Sequence, residues 1–80
     1  MKKIEVISID RIGLVGEISK ILSRVNGNII THTANVSSDG TTALSHFIAD
    51  VELGKELDND TLSRRLKKIK NVRQVKISDI

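Results

Sequence analysis

The sequence predicts one α+β domain in which a four-stranded antiparallel sheet carries two helices on one face. Three observations predict it. Short β-branched runs alternate with two segments of helical period, an Asp-Gly turn joins the middle pair of strands, and the elements come in the order βαββαβ. Right-handed crossovers over four strands give the split-βαβ, ferredoxin-like arrangement, with strands one and three central and strands two and four at the edges. Proline is absent and no Gly/Ser linker or repeat interrupts the 80 residues, so residues 1–80 read as a single domain.

Residues 3 to 9, Lys-Ile-Glu-Val-Ile-Ser-Ile, alternate and are β-branched, which suits a strand with a buried face. From Leu14 the period changes: Leu14, Ile18, Ile21, Leu22 and Val25 share one helical face while Glu17, Lys20 and Arg24 point away. The helix is expected to stop at Asn26-Gly27, with the glycine taking the left-handed conformation that satisfies the last carbonyls. Asn28 to Val36 and Thr42 to Val51 are strands joined by Ser37-Ser38-Asp39-Gly40-Thr41, where Asp-Gly supplies the positive φ of a tight hairpin. Asp58 reads as the N-cap of the second helix, with Leu57 and Leu62 placed as a hydrophobic staple and Leu62, Leu66 and Ile69 facing inward. Val72 to Ile77 is the fourth strand.

A chain this short buries about 60 to 65% of the surface its unfolded form exposes, so covering a further edge against a second copy matters to its stability. The two edges differ. Strand four carries Arg73 and Lys76, whereas Asn28 to Val36 holds no formal charge apart from a protonated His32, and natural edges are usually blunted by charge. Strand two is therefore expected to pair with its counterpart in a homodimer. With no cysteine there is neither a disulfide nor a thiolate metal site, which fits a reducing compartment, and no apolar run is long enough for a signal core or a membrane span. The expected location is the cytoplasm.

The turn Asp10-Arg11-Ile12-Gly13-Leu14-Val15-Gly16 joins a strand to a helix N-terminus, where free N–H groups and the positive end of the dipole attract carboxylates and phosphates. Asp10 is placed to accept hydrogen bonds from the turn or to cap the helix, and Gly13 allows a close approach. By spacing alone the same residues also describe an ordinary helix entry.

This turn, the amphipathic helix, Gly27-Asn28-Ile29 opening strand two and Asn71-Val72-Arg73-Gln74-Val75 opening strand four together resemble an ACT domain over nearly the whole chain. The resemblance implies a regulatory domain that pairs side by side and binds an amino acid or related metabolite at the interface, acting allosterically on an attached or partner enzyme. It maps the family's aspartate and glycine onto Asp10 and Gly13 and its asparagine onto Asn28. The implied ligand site is Asp10, Arg11, Ile12, Gly13, Leu14, Val15, Asn28 and Ile29, with Ile12, Leu14 and Val15 on its apolar side. Many members carry proline where this chain has Ile12. Asp-Arg-x-Gly-Leu is closest to the C-terminal ACT domain of bifunctional guanosine tetraphosphate synthetase/hydrolase enzymes. A free-standing protein and an excised regulatory piece are equally consistent with the residues, and the alternative role for such a piece is RNA contact or dimerisation without a ligand.

Other chemistries are weaker. His32 and His46 are cross-strand neighbours under one hairpin register, but no third ligand accompanies them, so no metal or other cofactor is expected. Arg64, Arg65, Lys67, Lys68 and Lys70 form a basic stretch suited to RNA phosphates, yet Phe47 is the sole aromatic and reads as core rather than as a base-stacking platform. No serine sits in a nucleophile elbow, and Glu52 and Glu56, flanking Gly54, read as surface charges, so catalysis is not expected.

Overall fold

The computed structural model describes residues 1–54 and 57–80, and Glu56 lies outside the described residues. The elements are β1 (Lys2–Ile9), α1 (Leu14–Arg24), β2 (Asn28–Ser38), β3 (Ala43–Glu52), α2 (Asn59–Lys67) and β4 (Val72–Asp79). They match the expected order, with boundaries moved by a few residues as helix and strand ends commonly are.

The sheet runs β2-β3-β1-β4 and every neighbouring pair is antiparallel. The period of two then sorts the side chains. Ile4 and Val6 of β1 stand opposite Ala49 and Phe47 of β3 and opposite Ile77 and Val75 of β4, and this row faces the helices. Leu14, Ile18 and Leu22 of α1 and Leu62 and Leu66 of α2 close over it, with Ile69 just beyond α2, and all are buried. Ile21, Val25 and Leu57 pack at the margin of that core.

The closures between elements are local and specific. Asp58 caps α2 by accepting from the Thr61 N–H at 2.7 Å. Asp39 organises the hairpin, its Oδ1 accepting from the N–H groups of Thr41 at 2.9 Å and Thr42 at 2.8 Å, while Gly40 takes a φ of 94°. The end of α1 corrects the expectation for Gly27. The left-handed residue is Asn26, at φ 58°, and it donates to the Ser23 carbonyl at 3.1 Å while Gly27 donates to the Leu22 carbonyl at 2.7 Å. That pair of bonds is a Schellman closure. Gly27 is required for closeness instead: a Cβ there would lie 2.9 Å from the Leu22 carbonyl oxygen and 3.0 Å from a Leu53 methyl. The two histidines are corrected as well. His32 stands opposite Ala49 and His46 opposite Asn35, which puts them on opposite faces of the sheet.

Two predictions follow from these closures. Gly27→Ala forces backbone apart and is expected to cost about 1–3 kcal/mol in chemical denaturation, whereas Asn26→Gly, which relieves a left-handed side chain, is expected to be neutral or stabilising. Equal losses would place the constraint at the wrong residue.

The second concerns acid. N–H groups of Thr42 and Thr41, then the Thr41 hydroxyl, hold the Asp39 carboxyl down at about 2. The Thr61 N–H lowers Asp58, and the hydrogen bond and charge of Lys2 lower Asp79. All three bind a proton less tightly folded than unfolded, so their stabilisation is complete above about pH 4 and is lost as pH falls through the folded values. The melting temperature should be flat with respect to these groups above about pH 4 and fall between there and about pH 2, with a shallower fall in Asp39→Asn.

Candidate ligand site and the uncovered sheet edge

The turn between β1 and α1 stands at one end of the sheet and is pinned from both sides. Ile9 donates its N–H to the Asn71 carbonyl at 3.0 Å and Asp10 donates to the Ala43 carbonyl at 2.9 Å. Gly13 occupies the N-cap position of α1 with a φ of 86°, in the left-handed region that favours glycine, and no side chain caps the helix. The expectation that Asp10 caps or braces the turn is thereby corrected. Its exposed carboxylate accepts no hydrogen bond among the described residues. The first turn of α1 thus keeps N–H groups, those of Val15 and Gly16, that the cap does not satisfy.

The other turn residues divide sharply. Arg11 bridges the two helical segments: its guanidinium pairs with Glu17 of α1, and its Nε donates to the Lys70 carbonyl in the turn after α2 at 3.4 Å. Ile12 is fully exposed at the tip. Leu14 is committed to the core and Val15 packs beside it, so of the three apolar residues assigned to the site Ile12 alone projects freely.

Asn28 and Ile29 lie elsewhere. Asn28 opens β2 opposite Glu52, and Ile29 stands opposite Val51, at the end of the sheet remote from the turn. The 11 residues of α1 separate the two places, about 16 Å at 1.5 Å per residue. Within one chain the structure does not bring Asn28 to Asp10.

β2 is exposed at every residue except the half-buried Ile29, with Ile30 and Val36 among the large apolar side chains left in water. It is an edge of the sheet, and among the described residues no strand lies on its outer side. A β-bulge at Ile30 interrupts its register with β3.

Reading the sequence passed over Ser8 and Ser45. They face each other across β1 and β3 in the row that lies beneath the turn, and both are buried. Ser8 Oγ donates to the Asn71 carbonyl at 2.9 Å, tying β1 to the entry of β4. The signal was parity: Ser8 continues the inward row of Ile4 and Val6, so a serine there had to find a partner inside.

No protein-family sequence model and no curated protein matches the chain. Solved structures do match it. A formyltetrahydrofolate deformylase from Pseudomonas putida superposes with a TM-score of 0.81 at 7% identity, over 99% of this chain, which spans 28% of that protein. The ACT domain from GTP pyrophosphokinase of Chlorobium tepidum superposes at 0.70 with 22% identity, over 96% of this chain and 95% of that one. The C-terminal domain of the MgtC protein from Mycobacterium tuberculosis gives 0.63 at 13% identity, covering 96% and 83%. Identities this low carry fold alone, and the βαββαβ sheet with its helix layer on one face has the fold of an ACT domain.

Proposed function

We propose that the chain is a regulatory domain that pairs with a second copy through β2 and holds an amino acid in the seam, near the turn of one copy and Asn28 of the other. The carrying observation is the β2 edge: 11 residues long, without Lys, Arg, Asp or Glu, and solvent-exposed over almost its whole length. β4, the other edge, carries Arg73 and Lys76. An unprotected edge of this length is a template for another strand.

The register also supports the reading. Two antiparallel copies of β2 centred on Thr33, its middle residue, set the partner's Asn28 opposite Ser38, at the end of the sheet where the turn stands. The same register sets Ile30 beside the partner's Val36, removing from water two of the exposed apolar side chains. The residues that one chain holds apart are then approached across the two-fold axis. In the seam, N–H groups at the start of α1 suit the ligand's carboxylate, Asp10 suits its ammonium, and Ile12 supplies apolar cover.

Ligand touching both copies favours the paired state, and in a longer polypeptide that preference would bias an attached enzyme. The likeness to an ACT domain of a GTP pyrophosphokinase supports such a setting. A cytoplasmic location and a non-catalytic role accompany this reading.

Sedimentation tests the edge. The wild type is expected to dimerise and Thr33→Lys to shift toward monomer; a wild type that stays monomeric at millimolar concentration overturns the pairing. A thermal-shift panel of the amino acids tests the ligand. Saturation at about 100 times Kd adds about 2.7 kcal/mol to the native state, and Asp10→Ala and Asn28→Ala are each expected to lose that shift. A panel in which no amino acid raises the melting temperature of the wild type removes the ligand from the proposal while leaving the dimer.

A further inference from the structure

α1 and the end of α2 border an open groove of about 390 Å³, within the size range of small-ligand sites. Lys20 and Arg24 line it from α1, and Arg65, Lys68 and Lys70 line it from α2 and the turn that follows. Ile21 and Ile69 form an apolar floor. Among the described residues Glu17 is the one carboxylate on the wall, and it is already paired with Arg11. Among the described residues, none of the five cations has an ion-pair partner.

Helix chemistry accounts for part of this charge and not for its placement. A basic residue in the last turn of each helix offsets the macrodipole. Lys20, in the middle of α1, has no such use, and with Arg24 it makes a like-charge i,i+4 pair that weakens a helix. Lys67 would serve the α2 dipole equally well but does not line the groove, and Arg64 is spent on Asp60. The basic stretch read from the sequence is therefore split: three members meet two residues some 45 positions away around one volume. Arg24 and Arg65 also line the adjoining hollow beside Gly54 and Leu57, so both guanidinium groups sit at the junction of the two depressions.

We infer that this groove binds a compact anion bearing several closely spaced phosphates. Five cations around one small volume call for a multivalent anion, since a single carboxylate would neutralise one of them. Arg24 and Arg65 match phosphate oxygens bidentately, while the lysines act as point charges. The five cations converge on one short, open depression between two helices instead of following a long track, which suits a compact anion better than an extended nucleic-acid backbone. Base stacking has no platform either, because Phe47 is buried in the core.

The test is calorimetric titration of the full chain with sodium triphosphate, with duplex RNA as a competitor. One saturable site per chain is expected, weakening as salt is raised. Arg24→Glu and Arg65→Glu should each reduce affinity about tenfold or more, while Arg64→Glu and Lys67→Glu, charge reversals outside the groove, should leave it unchanged. Circular dichroism confirms that each variant is folded. Thr33→Lys should bind triphosphate as the wild type does, which separates this site from the β2 seam. Absence of saturable binding overturns the inference, as do equal losses in all four reversals, or tight RNA binding that triphosphate does not displace.

Discussion

Twenty helical residues cannot cover four strands, and the rest of this molecule is arranged around that shortage. The helices close over the inward rows of β1 and β3 and the near side of β4. The corresponding row on β2, His32, Ala34 and Val36, stands opposite buried Ala49, Phe47 and Ser45 yet remains exposed. His32 gives Phe47 some lateral cover, its ring centroid lying 5.8 Å from the phenyl centroid. β2 is thus a fully formed strand with one neighbour and almost no cover. A strand in that condition gains from a second copy what the chain is too short to supply itself.

The parts of the fold that rest on periodicity were legible in the sequence. Alternation in residues 3 to 9 identified β1, the spacing of Leu14, Ile18 and Leu22 identified the buried face of α1, and Leu57-Asp58 marked the start of α2. What failed were inferences from residue type at a single position. Glycine suggested a left-handed residue at Gly27, but Asn26 tolerates that conformation and the glycine was needed for a close approach instead. Asp10 suggested a cap, but Gly13 took the N-cap position and left the carboxylate unused. The register of His32 and His46 depended on hairpin length, which extended through Ser38 rather than stopping at Val36.

The candidate sites were less legible because each joins residues that the chain order keeps apart. In sequence Lys20 and Arg24 simply point away from the buried face of α1, and Arg65, Lys68 and Lys70 belong to a basic stretch suited to RNA phosphates. Neither segment reveals that the antiparallel placement of two helices turns them toward one groove. Arg11 is similar. In sequence it belongs to the turn, but in space its guanidinium ties Glu17 to the end of α2. That pairing occupies the one carboxylate that lines the groove among the described residues, so a turn residue helps set the potential of a surface it does not line.

α1 links all of these places mechanically. Its first turn carries the unsatisfied N–H groups beside Asp10, its middle and last turns form one wall of the groove, and its Schellman closure fixes the path into Asn28. Gly27 leaves no room for a Cβ against the Leu22 carbonyl and donates its N–H to that same carbonyl, so the start of β2 is held closely to the last turn of α1. In the proposed assembly, a ligand that clamps α1 against α2 would act on the helix from which the pairing strand departs. The short helix layer that leaves β2 bare also leaves one helix, α1, beside both the turn and the groove proposed for ligands.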